Sequence, residues 1–330
     1  VGDLRVAHEP VPVADGPSTA LVRVTAVGVC GSDLHWWDEG AIGDAKLTRP
    51  LVLGHEGAGV IADGPRSGER VAIDPAIPCE RCRACRDGYR NLCYRLKFSG
   101  HGETDGMMRE FMTWPAAQLY PLPDQLSDVD GAMLEPLGVA LHSVGLGHLP
   151  LGGSASVVGC GPIGLLLIGL LKAAGASSVL AIEPLAHRRE AAARLGADEV
   201  ADSGSLGDGL MRELTGRGVD VAFEAAGGDG SVGLAIASVR PGGRVVLAGI
   251  PGDDTIRLQA SVARRKGLTI AMVRRMNEVY PRAISLAERG AVDLASVVTS
   301  RVGLGEIAEA FGEGARRTGL KVVIEPQRLG

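Results

Sequence analysis

Aromatic side chains are scarce. Phe, Trp and Tyr make up 3% of the 330 residues, so the core must rest on Val, Leu, Ile and Ala. An excess of positive charge is also lacking: the formal net charge is −5, which disfavours a phosphate-binding surface. Six cysteines in a chain of this length make a disulfide scaffold the weaker reading. Long apolar runs are missing too. The longest, Ile163 to Leu171, is broken by Gly164 and Gly169 and is too short to span a bilayer. No charged-then-apolar signal segment opens the chain, so a cytoplasmic protein with reduced thiols is expected. The first residue is Val1 rather than methionine, and an N-terminal piece is expected to be missing.

What is present is ordinary soluble composition, 45% hydrophobic and 22% charged, enough for a sizeable core and for one large or two medium domains. The 48 glycines are about twice the usual share and are spread along the chain, which indicates tight turns and close backbone approaches. Up to about residue 135, short runs such as LVRVTAVGV and RPLVLGHEGAGVI alternate apolar and polar residues between Gly, Pro and Asp, the pattern of a β-rich, barrel-like fold. From about Ser154, apolar runs alternate with helical patterns: ASVVG, GPIGLLLIGLLKAAG, SVLAIE, HRREAAARLG, VDVAFEAAG, SVGLAIASVR and RVVLAGI. Strands alternating with helices predict a parallel sheet with right-handed crossovers. The last part holds two helical stretches, YPRAISLAERG and GEIAEAFGEGARR, and the strand-like LKVVIE.

Four of the six cysteines, Cys79, Cys82, Cys85 and Cys93, lie in CERCRACRDGYRNLC with the spacing C-x2-C-x2-C-x7-C. Four soft thiolates from one loop fill a tetrahedral shell around zinc and leave no position open, so this set reads as a structural site. An iron–sulfur cluster is the other metal reading. A nucleic-acid-binding ribbon fits the acidic chain poorly, and Arg81, Arg83, Arg86 and Arg90 are expected on a solvated loop.

The run SASVVGCGPIGLLL places G-x-G-x-x-G at Gly159, Gly161 and Gly164 between a strand and a helix. Glycines there allow a tight turn, and the helix N-terminus, opened by Pro162 and Ile163, offers free N–H groups to a pyrophosphate. Glu183 ends the next strand, where a carboxylate accepts from ribose hydroxyls and repels a 2′-phosphate; NAD is therefore expected over NADP. Arg188 and Arg189 are a counter-signal, able to hold such a phosphate. Ala225 and the AGI run of Ala248, Gly249 and Ile250 close two parallel strands and are expected at the nicotinamide edge.

Further donors stand apart: Cys30 in GVCGSDLHWW, His55 and Glu56 in VLGHEGAGV, and Glu135 in MLEPLGVALHSV. Alone, each reads as core or surface. Together they offer sulfur, nitrogen and oxygen, a set suited to a catalytic zinc with an open position.

These segments, in this order and over essentially the whole chain, resemble the zinc-containing medium-chain dehydrogenase/reductase superfamily. HWWDEGAIGD, EPLGVALH and LASVVTSRVGL…GLKVVI are most similar to its polyol branch, the sorbitol, xylitol and L-idonate dehydrogenases. The resemblance implies an α/β chain: a GroES-like β-barrel catalytic domain over 1–137 and 273–330, with the structural zinc lobe at 76–96, and an inserted Rossmann domain over 138–272. It implies a homodimer or homotetramer, two zincs per chain, and a catalytic zinc on Cys30, His55 and a carboxylate shared by Glu56 and Glu135. It implies oxidation of an alcohol by NAD, with the proton leaving by Ser32 and His35, Asp33 orienting His55, and Arg274 at the substrate or nicotinamide. Cys160 is expected to be a packing residue. L-Threonine 3-dehydrogenase and butanediol dehydrogenase share the ligand set, and an inactive cofactor-binding scaffold is the alternative of another class.

The chain departs from the family pattern in a short ADGPRSG loop and a compact KFSGHGETDGMMREFM section. It also carries Trp36 where polyol relatives often have a tyrosine at the substrate pocket.

Overall fold

The computed structural model describes residues 1–205, 216–228 and 230–328. The chain divides into two compact units. One comprises Val1–Glu135, Asn277–Arg289 and Leu294–Gly330; the other comprises Pro136–Met276 and Gly290–Asp293.

The first unit is organised around β1 (Thr19–Gly28), whose inward positions Val22, Val24 and Ala26 are fully buried. This is the alternation visible in LVRVTAVGV. Along one side β1 pairs with β4 (Glu56–Ile61), which continues to β5 (Arg70–Ile73) and β9 (Leu119–Pro121). Also antiparallel to β1 run β8 (Phe111–Pro115), along its first half, and β17 (Lys321–Glu325), at its end. β17 pairs in parallel with β16 (Val298–Gly303). Two short hairpins complete the strands, β2 (Ala41–Ile42) with β3 (Ala45–Lys46) and β6 (Ala76–Ile77) with β7 (Lys97–Phe98). The core under this sheet is aliphatic, with Trp36, Trp114 and Phe311 as its large rings.

The second unit is a six-stranded, wholly parallel sheet in the order β12 (Glu199–Ala201), β11 (Ser178–Ile182), β10 (Ser154–Val158), β13 (Val219–Glu224), β14 (Val239–Leu247), β15 (Thr269–Met272). Its strand order is that of a doubly wound dinucleotide-binding fold, and the direction of winding reverses between β10 and β13. The helix after β13 ends at Ser238, and Val239 and Arg240 already belong to β14. The SVGLAIASVR run thus yields a shorter helix than its periodicity suggests, because Pro241 pushes the preceding residue toward extended backbone. No helix among the described residues is long and apolar enough to cross a membrane.

Candidate active site

Cys30 is the N-cap of α1 (Gly31–Asp38), with extended backbone angles. The helix is short and only weakly apolar, so its start depends on capping. The Cys30 N–H donates to Asp33 Oδ2 at 2.9 Å. The other oxygen of the fully buried Asp33 accepts the Gly54 N–H at 3.1 Å and lies 3.5 Å from His55 Nδ1. One carboxylate therefore fixes both the turn that carries the thiol and the residue before the imidazole. Gly54 is held again through its carbonyl, which accepts from Ser99 Oγ at 2.9 Å and from the Met107 N–H at 3.0 Å.

The result is a buried centre in which one donor atom from each of Cys30, His55 and Glu56 lies within 4.8 Å of the others. Glu135, on α3 (Asp128–Gly147), is also buried but stands outside that tight group. Burial pushes its carboxyl up to about 7, against the pull of His55 and with the repulsion of Glu56. His55 shows the opposite balance: burial disfavours its charge, yet Asp33 and Cys30 raise its pKa well above the ordinary value. A thiol, an imidazole and two carboxyls gathered away from water suit a dication such as zinc.

One participant was not read from the sequence. Lys321 opens β17, is 2% exposed, and forms an ion pair with Glu56. Burial opposes its charge, but Glu56 and Cys30 together keep its pKa above the usual value. The available signal was a lysine leading the otherwise apolar run KVVIE.

The remaining expected residues of this unit fall in several places. Ser32 Oγ is 3.4 Å from His55 Nε2. His35, three residues on along α1, turns its Nδ1 to Glu39 Oε1 at 2.7 Å. Trp36 is buried within the aliphatic core and meets the His101 ring edge-on, centroids 5.2 Å apart.

Cys79, Cys82, Cys85 and Cys93 converge within the same 4.8 Å limit, and all are free thiols. The short helix α2 (Arg83–Arg86) folds Cys85 back toward Cys82, leaving the sulfurs 3.5 Å apart. Backbone N–H groups of Cys79 and Arg95 point at Cys93 Sγ from 3.2 and 3.4 Å. Backbone donors pull Cys82 down to about 6, whereas burial and neighbouring thiols push Cys85 up to about 12. Four such sulfurs ionise together only around a cation. Arg90 departs from the expected solvated loop: it bridges Glu80 and Glu278, the latter at 2.6 Å. Asn277 Nδ2 adds a bond to the Gly88 carbonyl at 2.8 Å, so the lobe is tied to the segment that re-enters this unit. Two carboxylates facing one guanidinium explain why it is not left to water.

In the second unit, Gly159 has φ +91°, and a Cβ there would lie 2.7 Å from Ala226 Cβ. The turn brings Gly161 to the N-cap of α4 (Pro162–Ala173), with Pro162 in its first turn, Ile163 next and Gly164 packed against the Gly159 carbonyl. Glu183 is buried, and its carboxylate faces the glycine turn: Oε2 accepts from the Cys160 N–H at 2.7 Å and Oε1 from the Leu185 N–H at 3.1 Å. Arg188 Nη1 lies 3.7 Å from where a Gly161 Cβ would stand. Cys160 is fully buried, and burial pushes its thiol up to about 12. The Ala225 N–H donates to Val158 O, and those of Ala248 and Gly249 donate to Glu224 O, which lines up the ends of β10, β13 and β14. Ile250 and Arg274 are exposed.

Residues 16–124 match the alcohol dehydrogenase GroES-like domain, and residues 162–289 match the zinc-binding dehydrogenase model. The chain belongs to the zinc-binding dehydrogenase family. A protein of Neosartorya fischeri named "Probable D-xylulose reductase A" is 35% identical over 98% of this chain and 94% of its own length. The sorbitol dehydrogenase of Bacillus subtilis is 34% identical over 97% and 94%. The NADP-bound structure of a Sinorhizobium meliloti protein superposes with a TM-score of 0.90, at 30% identity, over 99% of this chain and 97% of that one. The protein is thus an oxidoreductase with a GroES-like unit and a Rossmann-type unit.

Proposed function

We propose that this protein is a zinc- and NAD-dependent polyol dehydrogenase that oxidises a secondary alcohol of a polyol or sugar acid to a ketone. The observation that carries the reading is the buried meeting of Cys30, His55 and Glu56, with Glu135 nearby. When bound, zinc supplies Lewis acidity toward an alcohol oxygen and NAD supplies a hydride acceptor. Cys30 and His55, with Glu56 or Glu135, would hold the ion; Asp33 keeps the first two in register. Ser32 takes the alcohol proton, and His35, bonded to the half-exposed Glu39, passes it toward water. The names of the two relatives, a xylulose reductase and a sorbitol dehydrogenase, support polyol and ketose as the substrate pair.

The glycine turn, with Gly159, Gly161 and Gly164, holds the pyrophosphate of the dinucleotide. Glu183 favours NAD by repelling a 2′-phosphate, while Arg188 beside the turn is the residue through which NADP would be accepted. A homodimer or homotetramer is supported by β15, the last strand of its sheet, where Ile270 and Met272 are 37% and 62% exposed. A cytoplasmic setting agrees with six free thiols.

The test is reduction of NAD⁺ and NADP⁺ across sorbitol, xylitol, L-idonate, butanediol and L-threonine, with a Glu135→Ala variant in parallel. Turnover of a polyol with NAD⁺, reduced at least about tenfold in the variant, is expected. Turnover of threonine or butanediol alone overturns the substrate class. One zinc per chain with no turnover favours the inactive scaffold.

A further inference from the structure

Two buried acids flank β10 in the parallel sheet. Glu183 follows β11 on one side, and Glu224 ends β13 on the other. The Glu224 backbone carbonyl accepts the N–H groups of Ala248 at 2.8 Å and Gly249 at 3.1 Å, from the loop that follows β14. Its side chain serves the loop that follows β13 itself: Oε1 accepts the N–H groups of Ala226 at 2.8 Å and Gly227 at 2.7 Å. One residue therefore holds both loops. No side chain fits between them. A Cβ on Gly249 would run into the Gly227 nitrogen and lie 2.7 Å from Glu224 Oε2. A Cβ on Gly227, whose φ is +64°, would run into the Ile250 carbonyl. The loops meet backbone to backbone, so the Glu224 bonds rather than side-chain packing fix their spacing.

The glycine turn has anchors of its own. Glu183 Oε2 accepts the Cys160 N–H, and the Gly159 N–H donates to Ile182 O at 2.8 Å. The turn expected to carry the pyrophosphate is thus held without Glu224. Burying a carboxylate is unfavourable unless its bonds are made, and without this one two loop N–H groups would be left unpaired. The loops that it joins contain Ala225, Ala248, Gly249 and Ile250, the edge expected for the nicotinamide. We propose that Glu224 is a positioning residue for the nicotinamide half of the dinucleotide: its carboxylate locks the loop after β13 against the loop after β14 before the cofactor arrives, so that binding does not have to order them. The inference rests on the NAD reading and deepens it by giving each half of the cofactor its own buried glutamate.

The experiment measures the binding of NAD⁺, and of AMP, which lacks the nicotinamide half, to the full-length protein by calorimetry. It compares wild type with Glu224→Met, which keeps the length of the side chain but no strong acceptor, and with Glu224→Gln, which keeps an acceptor. Glu224→Met is expected to weaken NAD⁺ about tenfold and AMP by less than about twofold, whereas Glu224→Gln should stay within about threefold of wild type for both. Equal weakening of the two nucleotides in Glu224→Met would make Glu224 a general support of the sheet end, and that overturns the proposal. So does unchanged NAD⁺ binding in Glu224→Met, or a Glu224→Gln variant as weak as Glu224→Met. If Glu224→Met does not fold, Gly249→Ala decides, because its methyl group enters between the loops and leaves the carboxylate in place. Loss of NAD⁺ affinity alone then supports the proposal; loss shared with AMP, or no loss, overturns it. Wild-type protein that binds neither NAD⁺ nor NADP⁺ would instead overturn the dinucleotide reading itself, so the two failures are distinguishable.

Discussion

The two clusters reach the same compactness by different routes. In the lobe, four like atoms come from one stretch of fifteen residues, and local turns bring them together. In the mixed centre, unlike atoms come from the starts of α1 and β4, with Glu135 of α3 outside the tight group and a lysine from β17 near the far end of the chain. The lobe needs its own loop and a cation. The centre needs the whole sheet. A closed four-sulfur shell is suited to holding structure, whereas a set of unlike donors that leaves a position open is suited to chemistry.

The largest effect should separate the two. Cys30→Ser is expected to lower kcat/KM by more than about a thousandfold while one metal per chain remains in the lobe. Metal analysis beside kinetics checks it; loss of both ions would show that the clusters are not independent. The reverse change comes next. Cys93→Ser should empty the lobe and destabilise the protein by roughly 2 to 5 kcal/mol, with the remaining ion and most of the turnover at 25 °C retained. Thermal unfolding with and without chelator reads this. A variant as inactive as Cys30→Ser would mean that the lobe supports the chemistry directly.

The contrast also explains what the sequence disclosed. The lobe and the glycine turn were legible because each is written in consecutive residues: spacing alone brings Cys79 to Cys93 together, and Gly159 to Gly164 sit between one strand and one helix. Cys30, His55, Glu56 and Glu135 were recognisable as a set only through their resemblance to a known pattern. Lys321 was missed because its partner Glu56 is reached through β1, and no periodicity joins β17 to β4. Arg90 was misread for a related reason: its second carboxylate, Glu278, arrives from a distant segment. Alternation and β/α periodicity exposed the fold class, but not that β8 and β17 both pair with β1, nor that Pro241 ends the helix before it at Ser238.

Asp74 sharpens the comparison because it feels both regions. Burial pushes its carboxyl from 3.8 up to about 6, against the Ala76 N–H and the lobe's Arg90. A folded pKa above the unfolded one means that the native state holds the proton longer. The stability that this one group contributes is therefore fully present below about pH 4 and is lost as pH rises through about 6. Asp74→Asn removes that loss. The variant should gain on wild type by roughly 1 to 2 kcal/mol between pH 4.5 and 7.5, measured as the difference in urea stability at each pH. A constant gap across that range would show that Asp74 is already ionised in the fold.

The smallest effect concerns the segment that ties the lobe to the sheet. Tyr280 is buried; its hydroxyl donates to the Ile73 carbonyl at 2.9 Å, and its ring stacks on Tyr120 with centroids 4.9 Å apart and planes 6° from parallel. Asn277 and Glu278, just before it, hold Gly88 and Arg90 of the lobe. Tyr280→Phe keeps the stack and removes one buried hydrogen bond, so a loss of about 1 kcal/mol is expected. If the lobe is a local object, that loss should be the same with its ion present or stripped by chelator. If the lobe's ion orders the segment through Arg90 and Asn277, the hydroxyl should matter only while the ion is bound. Urea midpoints of both proteins, with and without chelator, decide between a lobe that stabilises itself and one that also fixes the segment re-entering the catalytic unit.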